Sequence, residues 1–546
     1  MPNQPPTEHL ANDQRRRLLL ASASIAAAAT FGTPVLAAQS EADANVDVHI
    51  ELHAVSDQAS VRPGKRTKVW RYRGTLLRGD PTCLETSSGG YLGPIIRVCR
   101  GQRIRIDLVN ELPESTIIHW HGLHVPEEMD GHPRFAIAPG ARYVYEFTVD
   151  NRAGSYWFHP HPHGRTGKQV YAGLAGLFLV SDDEEVALHL PTGAQDLPLV
   201  IQDRNFDADN QFVYLNADTG TASQGRGMMG GGMMGRGMMG GGMGSMMAGM
   251  MGVLGDQILV NGSTQTYREV ERRAHRVRVL NASNTRTLKL AWSDQTPLTV
   301  IGTDGGLLAA PLQRDYVMLA PAERVELWVD FGRWAPAAEP TLRSLAFKGG
   351  VGSGMGGMMS GGGLPDGADF DVLQFKVGTG KARNERPPAR LSTIATAEPQ
   401  RAVNYARPKV FEMTMGMMVW GINGESFDMT GANKLETVKL GTSEIWEFRN
   451  EGSGSMMGMV MPHSMHVHGL QFRVIERSVS RKFADAYGSV NAGFVDEGWK
   501  DTVLVMPGER VRVLLRFADF VGLFLYHCHM LEHEDTGLMR NYRVEA

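Results

Sequence analysis

The residues with the clearest chemistry are a run of His-Cys-His-Met-Leu-Glu-His at positions 527–533. It follows an apolar run, residues 522–526, that predicts a β-strand. Successive side chains of a strand point to opposite faces, so Cys528 faces one side while His527 and His529 face the other. The run therefore predicts two neighbouring metal sites that share one strand.

Two further histidines can complete the site on the cysteine side. His533 follows the strand and can turn back towards Cys528, and His463 is a candidate for a second imidazole. Two imidazoles and one thiolate with a weak axial group form the ligand set of a blue-copper electron-transfer site. We expect His463, Cys528 and His533 to bind one copper ion.

The other face of the strand belongs to a larger set of histidines. Four His-x-His pairs occur, at positions 119/121, 159/161, 466/468 and 527/529. In a strand, both members of such a pair face the same side. A single pair is more often a packed or surface feature, but four at repeat-matched positions favour a metal centre. Eight neutral imidazoles suit copper or zinc rather than magnesium or calcium.

An internal repeat predicts the elements that position these ligands. Residues 138–144, 320–326 and 506–512 share one turn sequence that leads into an alternating strand, and a strand ending in Asn precedes each copy. Short β-rich runs separated by Gly, Pro, Asn and Asp predict an all-β, sandwich-like fold. Three β-domains follow, with boundaries near residues 184 and 400. The middle domain carries no His-x-His pair, so we expect it to be structural.

Length and composition exclude several classes of protein. A chain of 546 residues suggests about three domains. A net charge of −4 without a basic stripe speaks against nucleic-acid binding. Three cysteines are too few for a disulfide scaffold, and Cys83 and Cys99 could form a disulfide or remain separate thiols.

The N-terminus predicts export. Arg15, Arg16 and Arg17 precede an Ala-rich apolar segment, with a plausible cleavage site near Ala37 or Ala38, as in a twin-arginine signal. A membrane anchor is the alternative, but the apolar segment is short and Ala-rich. We expect residues 1–45 to be a leader used by the twin-arginine machinery, and the mature protein to be periplasmic, monomeric and not inserted in a membrane.

These motifs resemble those of the multicopper oxidase family, in its three-domain branch of laccases and cuprous oxidases, over nearly the whole mature chain. The motifs are His119-Trp120-His121-Gly122, the run from Trp157 to Gly164, the run from His463 to Gly469 and the run from His527 to His533. The resemblance implies an all-β fold of three cupredoxin-like Greek-key β-sandwich domains, at residues 46–183, 184–399 and 400–546.

The resemblance also implies four copper ions with defined ligands. The implied sets are His463, Cys528 and His533 for type 1 copper, His119 and His466 for type 2 copper, His121, His159 and His529 for one type 3 copper, and His161, His468 and His527 for the other. Electrons from a donor would pass from type 1 copper through Cys528 and its bonded neighbours, and O2 would be reduced to water. Asp130 and Glu534 match the family's proton relays, although solvated loop carboxylates are the simpler interpretation.

The sequence departs from the family pattern at the axial position. Related bacterial oxidases carry a methionine ten residues after the cysteine, where this chain has Leu538, followed by Met539. Leucine cannot bind copper, and a shift of one residue along a strand turns Met539 to the other face. We therefore expect a three-coordinate type 1 site with a raised reduction potential.

Methionine-rich segments suggest the substrate. Residues 225–252 contain eleven methionines among glycines, and residues 349–364 contain Met355, Met358 and Met359. Thioether sulfur is a soft ligand that selects Cu(I), whereas a tract of this composition cannot pack a core. By resemblance, Met461 matches a substrate-copper ligand, and Met459 replaces the acidic residue that is usual there.

We therefore expect a cuprous oxidase for copper tolerance that couples Cu(I) oxidation, and weaker phenol oxidation, to reduction of O2. A laccase for phenols or aromatic amines with incidental methionine tracts is the alternative in the same class. A periplasmic copper-storage protein with little turnover is an alternative of another class. A division-associated relative without copper is disfavoured by the complete ligand set.

Overall fold

The computed structural model describes residues 46–86, 90–214, 250–265, 267–352, 363–416, 419–452 and 460–546. The predicted leader and the greater part of each glycine-methionine tract lie outside these ranges. Within them, no helix is long and apolar enough to cross a membrane.

The described residues form short strands in three groups. The strands of the first group are β1 (Val48–Ala59), β2 (Thr67–Arg78), β3 (Leu84–Glu85), β4 (Ile95–Cys99), β5 (Arg103–Asn110), β6 (Ile118–His121), β7 (Arg142–Thr148), β8 (Gly154–Pro160) and β9 (Gly176–Ser181). They form two sheets, with strand orders β2-β1-β5-β7 and β3-β4-β9-β8-β6. Two helices accompany them, α1 (Thr166–Ala172) and α2 (Asp183–Val186).

The second group again forms two sheets. Its strands are β10 (Asp196–Arg204), β11 (Gln257–Val260), β12 (Tyr267–Val270), β13 (Ala274–Asn281), β14 (Leu288–Trp292), β15 (Leu298–Thr303), β16 (Gly306–Arg314), β17 (Val317–Leu319), β18 (Arg324–Asp330), β19 (Thr341–Ser344) and β20 (Phe370–Val377). The sheet orders are β11-β10-β13-β18-β15-β16 and β12-β20-β19-β14-β17.

The third group contains the C-terminal ligands. Its elements are β21 (Lys409–Gly416), β22 (Val419–Ile422), β23 (Thr437–Lys439), β24 (Ser443–Arg449), β25 (His463–Val467), β26 (Phe472–Val479), α3 (Ala484–Gly488), β27 (Thr502–Val505), β28 (Glu509–Arg516), β29 (Gly522–Cys528), α4 (Leu531–Asp535) and β30 (Met539–Glu545). Its sheets run β22-β21-β24-β28-β26 and β23-β30-β29-β25-β27.

Short 3-10 helices complete the connections. They lie at Pro81–Cys83, Glu127–Met129, Pro133–Phe135, Gly193–Gln195, Phe331–Arg333, Pro399–Arg401, Arg481–Phe483 and Asn491–Gly493.

The three-fold repeat has a common hydrogen-bonding basis. The asparagine at the end of each preceding strand donates its side-chain amide to the carbonyl of the residue just before the turn, as in the bonds from Asn110 to Ile137 O, from Asn281 to Leu319 O and from Asn450 to Val505 O. Its own carbonyl accepts the N–H of the third turn residue, which has a positive φ in every copy. These bonds satisfy backbone groups that would otherwise be buried without partners.

Each group of strands encloses an apolar core, and smaller apolar clusters join the groups. One joining cluster includes Trp157 and Leu280, and another includes Met318 and Leu504. The structure confirms the predicted all-β fold of three β-sandwich domains. Cys83 and Cys99 are both free thiols, the first buried and the second exposed.

Candidate metal centre

Two strand pairs place the predicted ligands on common faces. In the first domain β6 pairs with β8, and His119 lies directly opposite His159. In the third domain β25 pairs with β29, and His466 lies opposite His527. Directly paired residues point to the same face of a sheet, so each pair presents two imidazoles side by side.

The same ladder separates the cysteine from these imidazoles. Cys528 lies opposite Met465 on the other face of the sheet, the face that also carries His463. Helix α4 returns His533 to this face, as expected from its position after the strand. The Cys528 Sγ atom lies 3.5 Å from His463 Nδ1 and 3.7 Å from His533 Nδ1.

The site around Cys528 is buried from solvent, and an apolar residue, Leu538, occupies its axial position. His463 and His533 are buried, and the Trp420 ring packs against both, with centroid distances of 5.0 and 4.8 Å. Leu538 is fully buried in the same apolar cluster as Cys528. Met539 lies opposite His527 in the ladder, so its side chain is on the face away from Cys528.

The remaining histidines converge between the first and third domains. Ring nitrogens from the two domains face each other, with Nε2–Nε2 distances of 3.3 Å for His119 and His466, 3.3 Å for His159 and His529, and 3.4 Å for His161 and His527. Within the third domain, His468 Nε2 lies 3.0 Å from His527 Nε2. The structure thus brings all eight paired histidines into one buried cluster.

Hydrogen bonds on the outer nitrogens fix the orientation of most of these rings. The Nδ1 atoms of His119 and His466 lie 2.7 Å from the main-chain carbonyls of Asp130 and Asp501, respectively. His159 Nδ1 lies 2.9 Å from the carbonyl of Pro160. An Nδ1–H that donates outward leaves the Nε2 lone pair free to bind a metal ion.

The protonation state of these histidines, which is neutral, also suits a metal centre. Burial lowers the pKa well below the ordinary value at His119, His121, His463, His466, His468 and His529. It lowers the pKa of His159 and His533 to about 3 and that of His161 to about 4. Neutral imidazole is the form that binds a metal. With one thiolate, this donor set fits copper.

The two predicted proton carriers border the cluster. Asp130 is buried, and its Oδ2 atom lies 2.8 Å from His468 Nδ1. Burial, with a contribution from Glu127, raises its pKa well above the usual range. Glu534 Oε2 lies 3.1 Å from His527 Nδ1. Burial opposes its ionisation, but His161 and His527 outweigh burial and lower its pKa.

The predicted substrate-copper residues are placed only in part. Met461 is buried in the apolar cluster that contains Trp420 and Met413. Met355, Met358, Met359 and Met459 lie outside the described residues.

The structure adds residues that the sequence motifs do not reveal. Asp501 lies 3.0 Å from His121 Nε2 and forms an ion pair with Arg324 of the middle domain. Glu532, next to His533, accepts hydrogen bonds from Asn284 and Thr285. Asp501 and Arg324 belong to no His-x-His or cysteine motif, and only their position in space connects them with the ligands. Glu532 lies within the run 527–533, but its spacing in that run does not reveal Asn284 and Thr285 as its partners.

Comparison with known proteins agrees with the site. Models of multicopper oxidase domains match residues 72–185 and 402–546. A laccase of Bacillus stratosphericus is 31% identical over 504 residues, covering 84% of this chain and 90% of the relative.

Solved structures show the same similarity. The multicopper oxidase McoA of Aquifex aeolicus is 33% identical, with a TM-score of 0.72 over 92% of this chain and 97% of that chain. A multicopper oxidase of Campylobacter jejuni, described as a metallo-oxidase, is 25% identical, with a TM-score of 0.68 over 91% of each chain.

Proposed function

The chain belongs to the multicopper oxidase family, and from that premise we propose that it is a cuprous oxidase. Members of this family are copper-dependent oxidoreductases that use O2. The proposal for this chain is that Cu(I) is the electron donor: four Cu(I) ions become four Cu(II) ions while O2 takes up four electrons and four protons to give two waters.

One observation carries the choice of donor. The described structure stops at Tyr214, before the glycine-methionine tract, and resumes at Met250 near its end, and flanking residues on both sides bind one carboxylate. Tyr214 donates to Glu532 Oε1 at 3.0 Å, and the N–H of Val253 donates to Glu532 Oε2 at 3.3 Å. Because Glu532 adjoins His533, the residues that flank the tract on both sides are bound beside the proposed type 1 ligands.

The returning end of the tract also covers these ligands. The Trp420 indole N–H donates to the Met250 carbonyl at 3.1 Å, while its ring packs on His533. Met250 is itself buried. A bulky phenol therefore cannot contact His533 directly. A Cu(I) ion that is transferred between thioether ligands does not need such a contact. This favours Cu(I) as the donor.

The proposed copper ligands are those that the resemblance implies. Type 1 copper would be held by His463, Cys528 and His533, type 2 copper by His119 and His466, and the type 3 pair by His121, His159, His529, His161, His468 and His527. Copper, when bound, supplies the one-electron chemistry that connects the donor with O2. The bonds from Cys528 to His527 and His529 provide a covalent path between the two sites.

The chain's own groups manage the protons. We propose that Asp130 holds a proton beside His468, and that Glu534, ionised between His161 and His527, accepts protons and passes them towards the cluster. The domain boundaries near residues 184 and 400, the monomeric state, and twin-arginine export to the periplasm are also proposed, the last from residues outside the described ranges.

Oxygen uptake by copper-loaded protein tests the donor. It is measured with Cu(I) and with a bulky phenol, for the intact chain and for a deletion of residues 225–249 that keeps Met250 and Val253. The matched control changes the nine methionines of 225–249 to leucine, which removes sulfur without removing the tract.

The proposal predicts that Cu(I) turnover falls in both variants, and that phenol turnover rises only in the deletion. A laccase is the better description if both donors are unaffected and phenols react faster throughout. Many Cu(I) ions bound per chain with negligible O2 uptake would instead indicate a storage protein.

A further inference from the structure

Two aspartates support the histidine cluster in matching ways. Asp130 accepts from His119 Nδ1 with its main-chain carbonyl, at 2.7 Å, and contacts His468 Nδ1 with its carboxylate, at 2.8 Å. Each of these two contacts reaches a different domain. Asp130 thereby ties a histidine of the first domain to one of the third.

Asp501 repeats this arrangement from the third domain. Its main-chain carbonyl accepts from His466 Nδ1 at 2.7 Å, and its Oδ1 atom lies 3.0 Å from His121 Nε2. Thr502 Oγ1 also lies 3.1 Å from His121 Nε2. Each ligand-bearing domain thus supplies one aspartate that contacts a histidine of both domains, although the carboxylate of Asp130 meets an Nδ1 and that of Asp501 an Nε2.

The two aspartates differ in that Asp501 is paired with a cation, Arg324. Arg324 donates two parallel hydrogen bonds to Asp501, from Nη1 to Oδ1 at 2.7 Å and from Nη2 to Oδ2 at 2.6 Å. Its Nε donates to the carbonyl of Ser155 at 3.0 Å. Among the described residues, no arginine or lysine pairs with Asp130.

Arg324 is also exceptional within the internal repeat. It occupies the same turn position as Arg142 and Arg510, whose side chains are 48% and 45% exposed and pair with carboxylates of their own domains. The side chain of Arg324 is fully buried and crosses from the middle domain to the copper cluster. The repeat therefore supplies a surface arginine twice and an internal one once.

His121 is the ring that depends on this arginine. Its Nε2 is occupied by Asp501 and Thr502, and its Nδ1 is buried with no hydrogen-bond partner among the described residues. It is therefore Nδ1 that is free to bind a metal, whereas His119, His466 and His468 are held by Nδ1 and leave Nε2 free. If the Asp501 carboxylate could rotate, it would no longer hold the His121 ring in this orientation.

We propose that Arg324 is a positioning residue of the copper cluster, which locks Asp501 so that His121 presents Nδ1 to a type 3 copper. The inference rests on the proposed function, because it takes His121 as a copper ligand. It gives the middle domain, which holds no ligand of its own, a direct part in the geometry of the oxygen-reducing site. The guanidinium of arginine suits this task because it binds a carboxylate in a bidentate manner, whereas the ammonium of lysine is a single point charge.

The test compares Arg324→Met and Arg324→Lys with the wild type, each loaded with copper. The matched control is Arg286→Met, which removes another buried arginine of the middle domain that pairs with a carboxylate, Asp203. The double variant Arg324→Met with Asp501→Asn avoids leaving an unpaired buried charge, and serves if the single variant does not fold.

Three readouts are taken on the same samples. They are copper ions per chain, the near-ultraviolet absorption of the coupled type 3 pair relative to the visible absorption of the type 1 site, and release of copper to a chelator. The type 1 band is an internal reference, because its ligands do not contact Arg324.

The proposal predicts that Arg324→Met and the double variant lose the type 3 absorption relative to the type 1 band and release copper from the cluster about 10-fold or more readily. Arg324→Lys should recover only part of the loss, and Arg286→Met should match the wild type. Unchanged ratios and release in the Arg324 variants overturn the inference, as does an equal loss in Arg286→Met. A wild type that takes up no cluster copper would instead overturn the proposed function.

Discussion

At the scale of single residues, the axial side of the cysteine site is the most distinctive feature. Leu538 is packed in the apolar cluster with Cys528, and its carbonyl accepts the N–H of Cys528 at 2.9 Å. Met539, the residue after Leu538, lies on the opposite face of the sheet, beside His527. Leu538 thus places only a hydrocarbon side chain at the axial position, whose ligand tunes the reduction potential in such sites.

We expect Leu538→Met to lower the reduction potential of the type 1 site, because a thioether ligand stabilises the oxidised ion. Leucine and methionine have similar volumes, so the variant should lose no more than about 1 kcal/mol of stability. Spectroelectrochemical titration of the visible band measures the potential. Met539→Leu, which changes a thioether on the wrong face, should leave the potential unchanged. A Leu538→Met potential equal to that of the wild type would contradict the prediction.

The sequence predicted the residues of the cluster and pointed to Asp130, but it did not reveal the pairing of Asp501 with Arg324. Histidine placement follows from two local rules, alternation along a strand and the spacing of a repeat, and both are visible in the sequence. Asp501 and Arg324 come from different domains, and no spacing relates an aspartate before β27 to an arginine 177 positions earlier. Their partnership is created by domain packing alone.

At the scale of elements, the repeated turn shows how one sequence pattern serves three environments. Its third residue has φ of 80° at Gly140, 74° at Ala322 and 72° at Gly508. A Cβ at Gly140 would meet no atom within 4 Å, whereas at Gly508 it would lie 2.2 Å from the Phe483 ring. The same backbone conformation therefore carries different steric demands.

We expect Gly140→Ala to cost about 1 kcal/mol of folding free energy, the cost of a left-handed conformation for an L-residue. Gly508→Ala should cost roughly 3 kcal/mol, because overpacking against Phe483 and Ser480 adds to that strain. Urea denaturation measures both. Equal losses at the two positions would show that sterics at Phe483 do not matter.

At the scale of the whole molecule, a buried ion-pair network of the middle domain also binds the first domain. Glu326 of the middle domain binds Arg276 and Arg278, and also accepts from Ser155 of the first domain at 2.6 Å. Burial raises the cost of its charge, but the two arginines outweigh this and lower its pKa from 4.5 to about 2. The carboxylate therefore contributes stability above pH 4.5, and this contribution is lost as the pH falls towards 2.

We expect Glu326→Gln to be less stable than the wild type by about 3 kcal/mol near neutral pH. The difference should shrink below pH 4.5 and vanish near pH 2, because the wild type then also loses the charge. Denaturation at several pH values measures the difference. Glu476→Gln, at a carboxylate that is 53% exposed and paired with Arg512, should change stability by less than ~0.5 kcal/mol throughout. A Glu326→Gln deficit that is constant with pH would refute the argument.

The division of the histidines between the two ends of the chain has a consequence for how the protein matures. His119 and His466 face each other although 347 positions separate them, and His159 and His529 are 370 positions apart. A ribosome has to finish almost the entire polypeptide before the second half of the cluster exists. A nascent or C-terminally truncated chain can therefore hold only half of the nitrogen donors of the cluster. A cluster that is filled with metal thus shows that synthesis of the chain and docking of its first and third domains are complete.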